Sequence, residues 1–440
     1  MAATDLRSLA KATPLLRESL HDRAVGPSRK FTLTGSPTPF KLDRHRAPKQ
    51  LCHWTDDTDH ALLLLLSFLY TATTATDSLD PLPTQQDLAR RLRVWCSGGL
   101  RVLDTLPLGL GRLVGTVVAT KGFDVDPVGI STKYWEETGR KIAPNGSLMR
   151  THPLGVMTIF RQEEEAFHIA AELSRVTHVD PRCVISCIIG AGLVRLVARG
   201  EVESEEDVDG LIRRAVAWTE GWYQIRYEID DLTTGERELN RDELYLDELF
   251  NHIDGADLDA LKSDDTPAIG YVYKCLGSGV ALLRQAIRRT KEIQGSLLDL
   301  VEMFEQLITD LIMRGGDADT NASFAGALLG GYLGYTALPD HWKHGLLHGK
   351  WLMSKAESLC VVLGLKDGQY DGHEDKDTDL HGGRGEISQE EMERRFMVLQ
   401  AETIQTMQNA GARDGQTPPA EKSDFNWRRL WPKKENKNKN

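Results

Sequence analysis

Two aspartate-rich strings stand far apart in this chain of 440 residues, and each is followed at once by a long apolar stretch of helical character. The first occupies residues 55–60 (TDDTDH) and the second occupies residues 315–320 (GGDADT). Carboxylate and hydroxyl oxygens gathered at the start of a helix are suitable ligands for a hard cation. If the two helices face each other across a bundle, the two strings together can hold a pair of ions. This pairing favours a largely helical architecture.

Helical patterns dominate the chain from about residue 57, and alternating strand patterns are nearly absent. Residues 60–72 are apolar nearly all round, which predicts a buried helix. Further helices are predicted at residues 85–95, 161–176, 181–189, 203–227, 286–313 and 340–363. Hydrophobic residues make up 40% of the chain and aromatic residues 7%, as in folded globular proteins. We therefore predict an all-α fold with a single compact multi-helix domain over residues 31–365.

The segments on either side of this domain differ from it in composition. Residues 1–30 form an atypical N-terminal segment, in which residues 1–26 fit one amphipathic helix. Residues 27–50, which continue into the start of the domain, are typical of an extended loop. In the C-terminal extension, residues 366–440, an acidic and glycine-rich stretch predicts a solvated surface loop. Ser388 and Glu391 then form a capping box that opens a helix to about residue 407. The basic tail that follows is predicted to be disordered.

The charge and cysteine patterns argue against several classes of protein. A net charge of -12 argues against a dedicated nucleic-acid-binding protein, which would carry a basic face. The six cysteines are scattered without zinc-ribbon or redox spacing, so we expect buried, reduced thiols and a reducing compartment. No apolar run approaches the roughly 18 residues of a membrane span. These observations predict an intracellular protein, in the cytoplasm or nucleus, without membrane or nucleic-acid partners. We expect it to be a monomer.

The first aspartate string offers more oxygen ligands than helix capping requires. Thr55, Asp56 and Asp57 supply one hydroxyl and two carboxylates within three residues. One such residue is enough to cap a helix and complement its dipole, which is the plain structural interpretation. The surplus favours metal binding.

The second string repeats this set with Asp317, Asp319 and Thr320, after two glycines that permit a sharp turn. The stretch that follows, residues 321–335, is rich in glycine and alanine, so a neighbouring helix can approach closely and bring the two strings together. Six oxygen ligands with neither cysteine nor paired histidine favour Mg²⁺ or Mn²⁺ over Zn²⁺. Two such ions can bind vicinal hydroxyls and position a water molecule or a leaving group.

Two further elements add polar groups. Residues 144–150 (PNGSLMR) form a turn by their ordinary interpretation, but a glycine-flanked turn also exposes N–H groups that can cradle phosphate. His178 follows Thr177 at a predicted helix end, where a histidine is more often a C-terminal cap than a catalyst. Residues 374–379 are acidic but lack EF-hand spacing, and no Walker, dinucleotide-binding, His-Glu-x-x-His or Gly-x-Ser-x-Gly motif is present.

In their order and separation, these four elements resemble those of the ADP-ribosylglycohydrolase family. The matching strings are residues 54–59 (WTDDTD), 145–150 (NGSLMR), 177–178 (TH) and 315–322 (GGDADTNA). A glycine- and alanine-rich continuation to Gly334, followed by Leu338 and Pro339, also fits. The resemblance covers residues 48–360, and its first and last strings are highly specific.

The resemblance implies an all-α enzyme with two Mg²⁺ or Mn²⁺ ions that cleaves the bond between ADP-ribose and an amino-acid side chain. By that implication, the metal ligands are Thr55, Asp56, Asp57, Asp317, Asp319 and Thr320. The substrate-binding residues are likewise Asn145, Gly146, Ser147, Leu148, Met149 and His178. Asp56 or Asp57 would orient the attacking water as the catalytic carboxylate. The partner would be an ADP-ribosylated protein or a small ADP-ribose conjugate.

Two alternatives stay open. Members of this family usually begin with a Gly-Asp-x-x-Gly helix and a glutamate that acts at the metal site, and no such element precedes Thr55. A catalytically impaired relative that binds metal and ADP-ribose is therefore the second hypothesis. The third is a terpenoid-synthase-like enzyme, because such enzymes are also all-α and bind Mg²⁺ through aspartates. The string Asp56-Asp57-Thr58-Asp59 lacks the two-residue spacer that those enzymes usually have, which disfavours the third hypothesis.

Overall fold

The computed structural model describes residues 52–72, 81–228, 244–255, 257–265, 268–293 and 296–414. Within these ranges the regular structure is helical, and strand-like pairing is confined to two isolated bridges, Leu100 with Thr105 and Pro144 with Tyr271. The predicted all-α fold is confirmed. The predicted N-terminal helix and extended loop, and the tail beyond residue 414, lie outside the described residues.

Helices of very different lengths make up the described ranges. In chain order, the α-helices are α1 (Asp56–Thr71), α2 (Gln85–Gly98), α3 (Arg112–Ala119), α4 (Pro127–Glu137), α5 (Leu148–Thr151), α6 (Pro153–Met157), α7 (Glu163–Arg175), α8 (Pro181–Ala198), α9 (Glu205–Glu228), α10 (Leu246–Ile253), α11 (Val272–Glu292), α12 (Leu297–Ile312), α13 (Ala318–Leu333), α14 (Asp340–Gly345), α15 (Gly349–Val362) and α16 (Gln389–Asp414). Short 3₁₀ helices lie at Arg101–Leu103, Tyr335–Ala337 and Lys376–Thr378.

Helix α8 forms the centre of the bundle, because its sequence is apolar on every side. Its faces pack against α5, α6, α7, α9, α11 and α13. By length and composition it is the one described helix that would fit a membrane span, but 94% of it is buried inside the protein. The expectation that no apolar run approaches such a span is therefore wrong on length. Burial of α8 to this extent is typical of a core helix in a globular protein.

Small residues bring α13 close to its neighbours. A Cβ atom on Gly331 would lie 2.6 Å from Cγ2 of Val197 in α8. The ring of Phe324 fits between Gly190 of α8 and Gly279 of α11, where added Cβ atoms would lie 3.0 and 2.5 Å from ring atoms. These contacts leave no room for larger side chains. They fix α13 in the bundle, where it also packs against α1.

Two helices that the sequence predicts as continuous are each divided in the structure. Residues 286–313 belong to α11 and α12, because α11 ends at Glu292 and the Ser296 hydroxyl accepts the Asp299 N–H (3.2 Å) as the N-cap of a new helix. Residues 340–363 belong to α14 and α15, which are separated by His348 in a left-handed conformation (φ 60°). Apolar periodicity does not reveal such local turns.

The acidic segment after α15 packs against the bundle, which corrects the prediction of a solvated loop. Lys355 of α15 is buried, and its ammonium contacts the carboxylates of Asp375 (2.6 Å) and Asp377 (2.9 Å). Thr378 is buried as well, and its carbonyl accepts a hydrogen bond from the Arg91 guanidinium of α2 (3.0 Å). Two acidic residues of this segment, Asp375 and Asp377, are therefore partners of a buried cation.

The structure also tests the predicted cap and the predicted thiols. The Ser388 hydroxyl accepts the Glu391 N–H (3.2 Å), which confirms the helix start there, and α16 runs on to Asp414. None of the six cysteines is in a disulfide. Four of them are buried, as expected, whereas Cys52 and Cys360 are only half-buried.

Candidate active site

A cavity of about 830 Å³ lies where the first turns of α1 and α13 meet the loop before α5. Its size is in the range of small-molecule sites. Its lining comes from separate parts of the chain: Asp56 and His60; Gly109 and Gly111 to Val114; Tyr134; Lys141 to Gly146 and Met149; His178; Ala268 to Tyr271; and Gly316, Asp317, Asp319 and Thr320. Both aspartate strings therefore contribute to one cavity.

The Thr55 hydroxyl of the first string is directed to a carboxylate and not to the free N–H groups of α1. Thr55 is the N-cap residue, but its side chain makes no capping hydrogen bond, and its hydroxyl donates to the Asp57 carboxylate instead. Asp57 is buried, and among the described residues its Oδ1 has no hydrogen-bond partner. Asp56 borders the cavity beside Gly109, where an added Cβ would lie 2.1 Å from the Asp56 Oδ1. The two neighbouring carboxylates thus have different surroundings.

In the second string, Asp317 is the N-cap residue of α13, and its side chain also makes no capping hydrogen bond. The two glycines before it have positive φ angles of 74° and 73°, and a Cβ on Gly316 would lie 2.0 Å from the Ser263 carbonyl oxygen. Only glycine can make this close turn. The Asp317 Oδ2 accepts a hydrogen bond from Nδ2 of Asn145 (2.9 Å), which ties the second string to the loop before α5.

The carboxylates of the two strings repel each other in a poorly solvated space. Desolvation and the carboxylate of Asp319 raise the pKa of Asp57 to about 6, although hydrogen bonds from Thr55 and Thr320 lower it in part. Desolvation and Asp319 likewise raise the pKa of Asp317 to about 7, against the hydrogen bond from Asn145. Groups of like charge that are held together in this way are stabilised by a cation between them.

The donor set fits a hard divalent cation. It consists of carboxylate and hydroxyl oxygens, and it includes the unpartnered Oδ1 of Asp57. Across the described ranges, no three His, Cys, Asp or Glu side chains converge as one metal-binding group. The hydroxyls of Thr55 and Thr320, which belong to the predicted set, are further oxygen ligands beside these carboxylates.

The loop before α5 is fixed by pairing with the loop before α11. The Asn145 N–H donates to the Gly270 carbonyl (3.0 Å), and the Val272 N–H donates to the Ala143 carbonyl (3.0 Å). Among the five residues predicted here to bind substrate, Asn145, Gly146 and Met149 line the cavity.

Ser147 and Leu148 lie behind the cavity wall instead. The Ser147 hydroxyl accepts from the Ser174 hydroxyl (3.1 Å) and the Cys187 thiol (3.3 Å), and Leu148 is buried against Gly190 of α8. The structure therefore brings three of the five predicted residues to the cavity and directs two into the core.

His178 borders the cavity and is not the cap of a helix. Helix α7 ends at Arg175 with Val176 as its C-cap, so His178 lies beyond the helix end. Its Nδ1 lies 2.6 Å from the Thr177 hydroxyl, and its Nε2 lies 3.0 Å from where a Cβ on Gly146 would be. Burial, and the positive charge of Arg150, lower the pKa of His178 well below its usual value, so the ring is neutral.

Sequence reasoning missed several parts of the cavity lining, among them His60 and residues 268–271. His60 belongs to the first string but received no role, yet it is buried at the cavity, edge-on to Trp95 with ring centroids 4.3 Å apart. Within the described chain, neither of its ring nitrogens has a hydrogen-bond partner. The wall formed by residues 268–271 carries no motif. Pairing with the Asn145 loop places these residues at the cavity, and the sequence gives no signal for that pairing.

Comparison with known proteins identifies the family of the chain. The family model described as ADP-ribosylglycohydrolase matches residues 15–369. The chain is 25% identical over 206 residues to "ADP-ribosylhydrolase ARH3" of Gallus gallus, which covers 45% of this chain and 52% of that protein. The chain thus matches about half the length of that relative. A solved structure titled "ADP-ribosylglycohydrolase-related protein complex" covers 69% of this chain and 96% of its own, with 16% identity and a TM-score of 0.34. Because the family match spans most of the sequence, the chain belongs to the ADP-ribosylglycohydrolase family.

Proposed function

We propose that this protein hydrolyses the glycosidic bond between ADP-ribose and an amino-acid side chain, or the corresponding bond of a related ADP-ribose conjugate. The observation that carries the proposal is the convergence of the two aspartate strings in one cavity beside the Asn145–Gly146 turn. Family membership supports the reaction class. It gives no support to a terpenoid-synthase-like activity.

The proposed cofactor is a pair of Mg²⁺ or Mn²⁺ ions. The residues that would hold it are Thr55, Asp56, Asp57, Asp317, Asp319 and Thr320. Bound divalent cations would bind the vicinal hydroxyls of the ribose and position them and the attacking water. The repulsion between Asp57, Asp317 and Asp319 supports this assignment, because a cation relieves it.

The chain's own residues would bind and orient the substrate. Asn145 and Gly146 face the cavity on a turn that is held by Gly270 and Asp317, so the turn and the carboxylates keep a fixed separation. We assign this turn, with Met149 and His178, to the diphosphate and ribose. Asp56 borders the same cavity, and its carboxylate would orient the attacking water and accept its proton. A nearby anionic carboxylate also stabilises an oxocarbenium-like transition state.

We further propose that the substrate is an ADP-ribosylated protein or a small ADP-ribose conjugate inside the cell. The absence of disulfides among the six cysteines supports a reducing compartment.

The proposal is tested by incubating the protein with arginine- and serine-ADP-ribosylated peptides and Mg²⁺ and measuring free ADP-ribose. We expect release by the wild-type protein and loss of release in Asp317→Ala. Asp367→Ala, at an exposed residue after α15, is the matched control and should retain activity. Absence of release from both peptides, with the metal shown to be bound, would contradict the proposal.

The second candidate function is that of a relative that binds metal and ADP-ribose without turnover. A binding protein without turnover would show metal-dependent ADP-ribose binding by calorimetry and no release of ADP-ribose from either peptide. Calorimetry and the release assay on the same preparation therefore separate the two candidates.

A further inference from the structure

Arg150 is a buried cation whose hydrogen-bond partners are all neutral. Its side chain is fully buried at the end of the turn that carries Gly146. One guanidinium nitrogen donates to the Leu173 carbonyl (3.2 Å) and to the Thr177 hydroxyl (2.7 Å), and the other donates to the Gly146 carbonyl (3.5 Å). Burial lowers the pKa of Arg150 to about 10, so the group keeps its charge at neutral pH.

The Thr177 hydroxyl connects this cation to His178. A guanidinium only donates hydrogen bonds, so the Thr177 oxygen must accept the bond from Arg150. The hydroxyl has one proton to give, and its other close partner is Nδ1 of His178 at 2.6 Å. Among the hydrogen bonds of the described residues, no other acceptor faces this hydroxyl. The proton of Thr177 is therefore donated to Nδ1.

This direction of donation settles which nitrogen of His178 carries a proton. A neutral imidazole has one N–H and one bare nitrogen. Because Nδ1 accepts from Thr177, the ring proton lies on Nε2. The neutral charge state follows from the burial of the ring and from the nearby Arg150.

The Nε2 atom faces the turn that lines the cavity. A Cβ on residue 146 would lie 3.0 Å from Nε2 and 3.1 Å from Cε1 of His178. The glycine there leaves space beside the N–H, and both residues border the cavity. An oxygen atom of a bound ligand can occupy that space as an acceptor.

We infer that Arg150 and Thr177 are positioning residues that fix His178 as a neutral ring with its proton on Nε2, and that His178 thereby serves as a dedicated hydrogen-bond donor to a phosphoryl oxygen of the bound ligand. A phosphoryl oxygen only accepts, which matches a nitrogen that only donates. The same tautomer leaves no bare nitrogen on the cavity side, so His178 does not act as a general base. The choice of ligand rests on the proposed function, whereas the tautomer does not.

The tautomer is tested by nitrogen NMR of imidazole-labelled protein without ligand. We expect the His178 signals of a single form, protonated at Nε2 and bare at Nδ1. Thr177→Val keeps the shape of the side chain but removes the hydroxyl, and it should shift His178 toward the other tautomer or a mixture. Thr177→Ser should restore the wild-type signals. A wild-type ring protonated at Nδ1, or a Thr177→Val spectrum like that of the wild type, would overturn the assignment.

The matched control is Thr219→Val. Thr219 is also fully buried, and its hydroxyl donates to the Ala215 carbonyl of its own helix (2.7 Å), away from the cavity. Its replacement should leave the His178 signals unchanged. If Thr177→Val does not fold, the wild-type spectrum and Thr177→Ser still decide the question.

The ligand is tested with ADP-ribose and, as a comparator without phosphate, adenosine. Loss of one well-placed donor should weaken ADP-ribose binding to Thr177→Val about tenfold, and Thr177→Ser and Thr219→Val should bind like the wild type. Adenosine binding should not distinguish the variants. In turnover, KM should rise with little change in kcat, as for a group that binds ground and transition states alike.

Equal ADP-ribose affinity of Thr177→Val and the wild type would overturn the donor role. A wild-type protein that binds no ADP-ribose would overturn the ligand choice and the proposed function together, and the NMR result on the tautomer would stand apart from both.

Discussion

At Asp57, a carboxylate is buried beside the carboxylate of Asp319, and hydrogen bonds from Thr55, Thr320 and its own backbone N–H offset the cost of that burial only in part. Burial of a charge without a partner opposes folding. The residue is therefore costly to the fold in the absence of a cation, and that cost is the best physical reason to assign it to metal binding. Asp59, two positions on, is also buried, but both of its oxygens accept from indole N–H groups, of Trp54 (2.8 Å) and Trp95 (2.9 Å).

Asp57→Asn should change metal binding and stability in opposite directions. Mg²⁺ affinity should fall at least tenfold, because even changes outside the ligand shell weaken metal binding by about 10- to 100-fold. Without Mg²⁺, the free energy of unfolding at neutral pH should rise by about 1–3 kcal/mol, since the raised pKa reflects a penalty on the charged form.

Calorimetry with Mg²⁺ and urea unfolding in chelator measure the two effects. Asp367→Asn, at the exposed position used above, should leave both quantities unchanged. A variant at Asp57 that is less stable in chelator than the wild type would argue against a repelled carboxylate at this position.

At the scale of elements, α13 packs so closely against its neighbours that an added methyl group does not fit at the contacts. Gly279 of α11 meets the ring of Phe324, and the first turn of α13 carries Asp317 and Asp319 to the cavity. A change at this helix contact should therefore affect both the stability of the bundle and the separation of the two aspartate strings.

Gly279→Ala should destabilise the protein by about 1–3 kcal/mol through overpacking against Phe324. It should also weaken Mg²⁺ binding, because α13 must shift to make room. The double variant with Phe324→Leu should recover part of both losses, which a double-mutant cycle by urea unfolding and calorimetry would measure.

The control is Gly330→Ala, on α13. Nothing lies within 4 Å of a Cβ there, so this change should cause no loss of stability. Additive effects of Gly279→Ala and Phe324→Leu would show that the two residues do not share the packing constraint.

The acidic segment after α15 is a second element whose role follows from one buried group. Lys355→Met should destabilise the protein by about 1–3 kcal/mol, because it leaves Asp375 and Asp377 without their buried cation. Urea unfolding should show the loss, and limited proteolysis should cut near residues 370–384 earlier than in the wild type. Lys366→Met removes an exposed lysine that pairs with Glu357 at the surface, and it should cause little change. Equal protease resistance of all three proteins would mean that Lys355 does not hold the segment.

At the scale of the whole molecule, the buried carboxylates make stability depend on pH and cations. The pKa values of Asp57, Asp59 and Asp317 are raised from 3.8 to about 6, 6 and 7. The folded state therefore holds these protons more tightly than the unfolded state. Their contribution to stability is greatest below about pH 4 and is lost as the pH rises through about 6 to 7.

A cation bound at Asp57 and Asp317 should offset this loss. We expect Mg²⁺ to raise the melting temperature more at about pH 8 than at about pH 5, since protons compete with the ion at acidic pH. Thermal scans with and without Mg²⁺ at both pH values measure the difference, and Asp317→Ala should abolish it. An equal Mg²⁺ effect at the two pH values would contradict a carboxylate site.

The sequence predicted the parts of this molecule that depend on long apolar runs or on unusual composition. Helices α1, α8 and α13 follow from such runs, and the two aspartate strings are visible because they exceed what capping needs. The breaks at Ser296 and His348 were missed, because one cap or one left-handed residue decides them. Ser147 and Leu148 were placed at the cavity, because a turn motif does not show which side chains point inward. The 268–271 wall was missed, because pairing between distant loops leaves no local pattern.

The burial of α8 has a consequence for how the chain is made. Half of the helices that cover it, α5, α6 and α7, precede it, whereas α9, α11 and α13 follow it. During synthesis, its 18 residues, which are mostly apolar, emerge long before α13 exists, so one side of the helix has no cover until residue 333 has been added. A chain that stops between α8 and α13 would therefore expose an apolar helix of membrane-spanning length, and such fragments should depend on chaperones or aggregate.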